Sequence, residues 1–254
     1  TALRSSSPHS PRVVVLVEPA GELNVGSVAR LCANFGVQSL RLVNPQCDHQ
    51  SEDAQRMAVH GRLMLERATV HDSLLSALAD CRRAVATCGR IDHGDIPLLT
   101  PDQALSWLLS SGDGPAREGE PVAVVFGRED RGLSNSELRL CQRVLSLHSD
   151  ATYPSLNLSH AVAVVLHEMN RLQQHSLNDQ AVGPDPAPAS AMSGFLNDAE
   201  SLLLEVGYLL PHTASARMAK VNDLLQRATT GPDEVALLRG MVRQLRWAVR
   251  ARRP

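Results

Sequence analysis

Val122-Ala-Val-Val-Phe126 runs directly into Gly127-Arg-Glu-Asp-Arg-Gly132, and this junction decides the fold class. Five consecutive apolar residues, mostly β-branched, read as a strand covered on both faces, as in parallel sheets. A glycine straight after such a strand lets backbone approach another group closely, and Glu129 offers a carboxylate to a ribose or an amine. In open α/β sheets ligands bind at the carboxyl ends of strands. Taken alone, the segment is equally well explained as an ordinary strand–loop–helix turn with solvated charges. A phosphate-binding loop is disfavoured, because the lysine and spacing of that motif are missing.

The same handover recurs on either side. Val13–Val17 reads as a central strand, followed by a helix over Val25–Phe35 with Asn24 as its N-cap. Ser39–Val43 and Ala84–Thr87 are further strands, and Val144–Leu147 a short one. Helical patterns cover Asp53–Leu65, Ser73–Leu78 and Leu158–Leu172. Thr100-Pro101 opens a helix to Leu109 with proline at the first helical position, and Ser134-Asn-Ser-Glu137 is a capping box opening a helix to Gln142. Strands alternating with helices predict a parallel sheet flanked by helices. Asn178–Ala191, rich in Pro, Ala, Asp and Gly, reads as a linker. Helical patterns at Phe195–Leu204, Ala214–Ala228 and Asp233–Arg252 follow it. The expected organisation is a frayed tail over residues 1–11, an α/β domain over 12–175, a linker over 176–192 and a helical extension over 193–254.

Composition narrows the function classes. The 254 residues are 43% hydrophobic but only 3% aromatic, which supports an aliphatic core. No apolar run is long enough to cross a bilayer and no signal-peptide core stands at the amino terminus. Cys32, Cys47, Cys81, Cys88 and Cys141 are odd in number and contain no Cys-x-x-Cys pair, which points to reduced thiols in a cytoplasmic protein and away from a metal site. No Gly-x-Gly-x-x-Gly follows the first strand, which argues against a nucleotide-dependent oxidoreductase.

Three more segments carry chemistry. Tyr153-Pro-Ser-Leu-Asn-Leu-Ser159 opens a helix; capping explains one of Ser155, Asn157 and Ser159, and three polar side chains exceed what one cap requires. Thr87-Cys-Gly-Arg90 ends a strand as Gly127 does, and Cys88, with no histidine placed to activate it, reads as a bystander thiol. His160 and His167 read as surface or packing residues. At the carboxyl end, Arg217 to Pro254 holds nine Lys/Arg against three Asp/Glu in a chain of net charge −2. Leu238, Val242, Leu245 and Val249 form an apolar stripe. Arg239, Arg243, Arg246, Arg250 and Arg253 form a basic stripe beside it, which reads either as a solvated helix face or, in an otherwise acidic chain, as a contact for a polyanion; dimer packing is the alternative for the apolar row.

Asn24-x-Gly-x-x-x-Arg30, Val125-Phe-Gly-x-Glu-x-x-Gly-Leu133 and Ser155-Leu-Asn-Leu-Ser159, in that order and spacing, resemble the three motifs of the SPOUT class of methyltransferases. Within that class the chain is most similar to TrmH-type RNA 2′-O-methyltransferases, and among these to the bacterial TrmJ group, which modifies transfer RNA at position 32. The resemblance covers about residues 12–172, and Leu237-Leu-Arg-Gly240 is similar to that group's helical extension. It implies a trefoil knot in the carboxyl-terminal part of the α/β domain and a homodimer with sites at the interface. It also implies S-adenosylmethionine held by Thr87, Cys88, Gly89, Gly127, Glu129, Leu147, Leu156 and Asn157, with no metal. The substrate implied is tRNA, with ribosomal RNA or a non-catalytic RNA-binding role as alternatives. Arg30, Asn24 and Ser155 would then be catalytic, with Asn24 orienting Arg30 or the hydroxyl and Ser155 positioning the ribose or relaying the proton. An arginine guanidinium keeps its proton near neutral pH, so the role expected of Arg30 is stabilising a developing alkoxide rather than removing a proton.

Overall fold

The computed structural model describes residues 10–89, 93–110, 120–147, 149–150, 155–175 and 186–251. Most of the expected tail (1–9), part of the expected linker (176–185), the Tyr153-Pro154 start of the third motif and Arg253 lie outside them. The expected strands are present as β1 (Arg12–Val17), β2 (Ser39–Val43), β4 (Arg83–Thr87), β5 (Val122–Phe126) and β6 (Arg143–Leu145). They are joined by β3 (Thr69–His71), which the apolar pattern did not predict. All pairings are parallel, in the order β3-β2-β1-β5-β4-β6.

The unbroken apolar runs follow from this topology, because both sheet faces are covered. Val14, Leu16, Leu40, Leu42, Val85, Val124 and Phe126 face one layer, built largely from α1 (Glu22–Asn34), α5 (Pro101–Leu109) and α7 (Leu158–His175). The alternate residues Val13, Val15, Val43, Ala84, Ala86 and Val125 face the other. There they meet α4 (Leu74–Ala77) and α6 (Asn135–Leu138).

Several helix boundaries differ from the sequence reading. Asp53–Leu65 is not one helix but α2 (Glu52–Ala58), a 3-10 turn (Val59–Gly61) and α3 (Arg62–Glu66). The break lies where Gly61 packs against α1, so close that a Cβ there would sit 2.7 Å from the Ala29 carbonyl oxygen. Val59 takes up the turn at φ 49°. Further on, α6 stops at Leu138, before Gln142, whose Oε1 accepts a 2.7 Å hydrogen bond from Ala84 N as the chain turns into β6. The α1 boundary is explained with the site.

After the sheet, α8 (Ala189–Glu205), α9 (Pro211–Arg227) and α10 (Pro232–Ala251) share a third apolar cluster that includes Phe195, Leu202, Met218, Val235 and Val242. α8 begins at Ala189, six residues before the expected Phe195 and within the stretch read as a linker. The helices are held to the α/β layers by an Arg139–Asp223 ion pair (2.9 Å) and a hydrogen bond from Asn222 Nδ2 to Arg139 O (3.1 Å). Among the described residues no helix is long and apolar enough to cross a membrane.

Candidate active site

A cavity of about 330 Å³ opens at the carboxyl ends of β4 and β5, within the size range of small-molecule sites. Thr87, Cys88 and Gly89 form one wall and the Phe126–Gly132 loop another; Leu147, Ser155, Leu156, Leu158 and Ala161 complete it. Of the eight residues expected to hold a cofactor, seven line this space, together with Ser155. Asn157 is not among the lining residues. Cys88 is buried and its backbone N–H is bonded to Leu145 O at 2.9 Å.

Gly127 holds the loop shut. A Cβ on it would lie 2.3 Å from Gly132 C and 2.4 Å from Leu133 N. The two ends of the loop are cross-bonded, with Gly132 N donating to Arg128 O at 3.0 Å. Gly132 adopts φ 65°, the left-handed region where glycine carries no Cβ penalty.

One chain of hydrogen bonds joins the three motifs beside the cavity. Glu129 Oε1 accepts from Gly21 N and from Asn24 Nδ2, and Oε2 from Ala20 N, all at 3.2 Å. Asn24 Oδ1 accepts from Asn157 Nδ2 at 3.1 Å. Asn157 Oδ1 in turn takes the N–H and hydroxyl of Ser159 at 2.9 and 2.8 Å, capping α7. This arrangement corrects two expectations. Asn24 is not the N-cap of α1: that position is Gly21, which has no side chain, and the carboxylate of Glu129, more than a hundred residues away, takes the Ala20 and Gly21 amides that lead into the helix. Nor does Asn24 orient Arg30, since its side-chain bonds go to Glu129 and Asn157. Arg30 itself is exposed on α1 and outside the cavity lining; among the described residues it has no hydrogen-bond or ion-pair partner.

The sequence reading missed Arg128, which braces the loop from below. Its Nε and Nη2 donate to Glu18 at 2.6 and 2.7 Å, its Nη1 and Nη2 to Glu137 at 2.9 and 3.0 Å, and Nη1 also to Gly132 O at 3.2 Å. All five guanidinium N–H groups are engaged, so Arg128 binds the fold rather than a ligand. Each group shifts the others. Glu18 holds Arg128 more firmly protonated, with Glu137 adding to it. The Arg128 hydrogen bond keeps Glu18 below the usual carboxylate range. Burial works against ionisation of Glu137, but the bonds from Arg128 and Ser134 prevail and hold it low as well. Depressed carboxylates stabilise the fold above their unfolded value near 4.5 and lose that contribution as pH falls through the lowered folded values. The melting temperature of the wild type should therefore fall below about pH 4.5. A Glu18→Gln/Glu137→Gln variant should start lower and show a shallower fall; equal slopes in circular-dichroism melts would remove the brace from the acid response.

The basic stripe of α10 does not stay free. Arg239 Nε and Nη2 bond Asp198 Oδ2 on α8 at 3.0 and 2.9 Å, and Arg246 Nη2 donates to Asp198 O at 2.8 Å. Arg239 and Arg246 thus hold α10 to α8. Arg243 is exposed, and Arg250 is 68% exposed with Glu205 at 3.9 Å. The apolar stripe is split too: Val242 is buried, whereas Leu245 is exposed.

Residues 11–167 match the SpoU rRNA Methylase family. A tRNA (cytidine/uridine-2'-O-)-methyltransferase TrmJ of Cronobacter sakazakii is 33% identical over 90% of this chain and 93% of its own. The protein of the same name from Klebsiella pneumoniae is 34% identical over the same shares. Among solved structures, that of TrmJ from Z. mobilis ZM4 superposes with a TM-score of 0.78 at 27% identity, covering 93% of this chain and all of the other.

Proposed function

This chain belongs to the SpoU rRNA methylase family, and from that membership and its likeness to tRNA methyltransferases along nearly its whole length we propose that it methylates a ribose 2′-hydroxyl of tRNA. The donor is S-adenosylmethionine and the target is the cytidine or uridine at position 32 of the anticodon loop. The observation that carries this reading is the hydrogen-bond chain Glu129–Asn24–Asn157–Ser159, which gathers three distant motifs at the rim of one cavity.

The cavity suits the donor chemically. Phe126, Leu147, Leu156, Leu158 and Ala161 offer an apolar slot for an adenine ring, and Glu129 brings a carboxylate to a cationic ligand. Backbone of Thr87–Gly89 and of the Gly127–Gly132 loop would hold the cofactor, with Leu147 and Leu156 packing on it. When bound, it supplies an electrophilic methyl group on a sulfonium. This chain's own residues must then position a hydroxyl, a poor nucleophile at neutral pH, and stabilise its charge as it ionises. Ser155, exposed on the cavity wall, positions the ribose. Arg30 supplies a guanidinium to the developing alkoxide and the adjacent phosphate, while Glu129, Asn24 and Asn157 fix the start of the helix that carries it.

Arg30 lies outside its own chain's cavity lining, which fits a homodimer in which two copies complete the sites. Leu23 is 54% exposed and seven residues from Arg30, hence on the same face of α1. Met57, Leu63 and Val164 are exposed apolar residues on α2, α3 and α7 that would extend the contact. A trefoil knot in the carboxyl-terminal part of the α/β domain, a division into an α/β catalytic unit and a helical extension, and a cytoplasmic location belong to the same proposal.

Incubation of purified protein with labelled S-adenosylmethionine and separated RNA pools tests it. Label should enter tRNA. Incorporation into ribosomal RNA alone would change the substrate, and incorporation into neither would leave a non-catalytic binding protein.

A further inference from the structure

α10 carries a surface that the extension's own packing does not use. Val235 and Val242 are buried against the other helices, and Arg239 and Arg246 are tied to Asp198. At 100° per residue, Gly240, Arg243, Gln244 and Trp247 fall on another side of the helix. There Trp247 is 70% exposed, an unusual state for the largest aromatic side chain. Arg243, at i−4, is exposed without a hydrogen-bond or ion-pair partner among the described residues, and Arg250, at i+3, is 68% exposed.

Gly240 adds an independent observation. Glycine is the poorest helix former after proline, yet this one sits in the middle of a twenty-residue helix. Nothing lies within 4 Å of where its Cβ would be, so no close packing inside the chain requires it. It stands seven residues from Trp247, on the same face, and helical side chains slant toward the helix N-terminus. Along this face a bare step of backbone at Gly240 stands two turns before the indole, Arg243 one turn before it and Arg250 one turn after it.

We propose that this face, with Trp247 as stacking platform, Gly240 as clearance, and Arg243 and Arg250 as phosphate contacts, binds an unpaired nucleotide of the RNA substrate. The inference rests on the tRNA reading above. Charge complementarity selects the occupant: of the nine basic residues from Arg217 onward, set against three acidic, Asp198 takes two, RNA is a polyanion, and an exposed indole between arginines combines base stacking with backbone attraction. A second copy of this chain would gain the apolar contact but would bring the same positive charge against itself.

The chain's tryptophan content makes the test direct. It holds two tryptophans. Trp107 is 3% exposed and lies between the guanidiniums of Arg83 and Arg143, 4.9 and 5.1 Å from its ring centre. Titrating the full-length protein with tRNA should quench the Trp247 emission, and a Trp247→Phe variant should give a flat signal. Trp247→Ala should weaken tRNA binding about tenfold or more with an unchanged salt slope, and Trp247→Phe should largely restore it. Arg243→Ala should instead reduce the salt slope by about one. Gly240→Ala should raise the melting temperature, as a helix former entering open space, yet weaken tRNA binding about threefold or more. Unchanged emission at saturating tRNA, or wild-type affinity in both Trp247→Ala and Gly240→Ala, would overturn the proposal. So would an emission shift on diluting the protein alone together with a fall in mass by light scattering, which would assign the face to self-association. If the wild type methylates tRNA and these results still fail, only this inference falls; if it neither binds nor methylates tRNA, the functional reading falls with it.

Discussion

Replacing Arg30 with alanine should lower the turnover of tRNA methylation about 100- to 1,000-fold while leaving cofactor affinity within about twofold. The magnitude is that of removing one preorganised donor aimed at charge that develops only in the transition state. The unchanged affinity follows from position: Arg30 is exposed on α1 and outside the residues that line the cavity. Arg30→Lys keeps the charge but loses the planar fork that can hold a phosphate and an alkoxide together, so it should recover only part of the loss. Because Leu23 shares the Arg30 face, the mass of each variant in solution should be measured with its kinetics. A monomeric Arg30→Ala protein would assign the loss to assembly, and wild-type turnover would remove Arg30 from the mechanism.

The second large effect concerns cofactor binding. Gly127→Ala would put a Cβ 2.3 Å from Gly132 C, against backbone that has no rotamer with which to yield. The loop must then open, although Arg128 pins its far side to Glu18 and Glu137. Calorimetry with S-adenosylhomocysteine should find affinity reduced about 100-fold or more, equivalent to about 2.7 kcal/mol. The rest of the sheet should stay folded, because Gly127 lies beyond the end of β5. Wild-type affinity in a folded Gly127→Ala protein would move the cofactor away from this loop.

The contrast between these residues shows what the sequence could reveal. β1 and β5 were legible because a strand buried on both faces needs an unbroken apolar run. β3 was not, since a three-residue strand at the sheet edge, with Thr69 and Val70 exposed, carries no such pattern. The walls of the cavity were legible because they are strand ends followed by glycine. The braces were not: Glu129 finds its partners at Ala20 and Gly21, and Arg128 finds Glu18, across separations of more than a hundred residues that only the β1–β5 pairing brings together. The tail illustrates the opposite error. Helical spacing placed Arg239 and Arg246 in a basic stripe, but Asp198, on a different helix, takes both, and the surface left for a polyanion is narrower than the periodicity suggested.

If three loops converge to present a methyl donor to a ribose hydroxyl of tRNA, the product of the reaction is fixed. Mass-spectrometric mapping of tRNA incubated with the purified protein and S-adenosylmethionine tests it most directly. The expected product carries one added methyl on the ribose of nucleotide 32. A methyl group on a base, or tRNA of unchanged mass after incubation with folded protein, would contradict it.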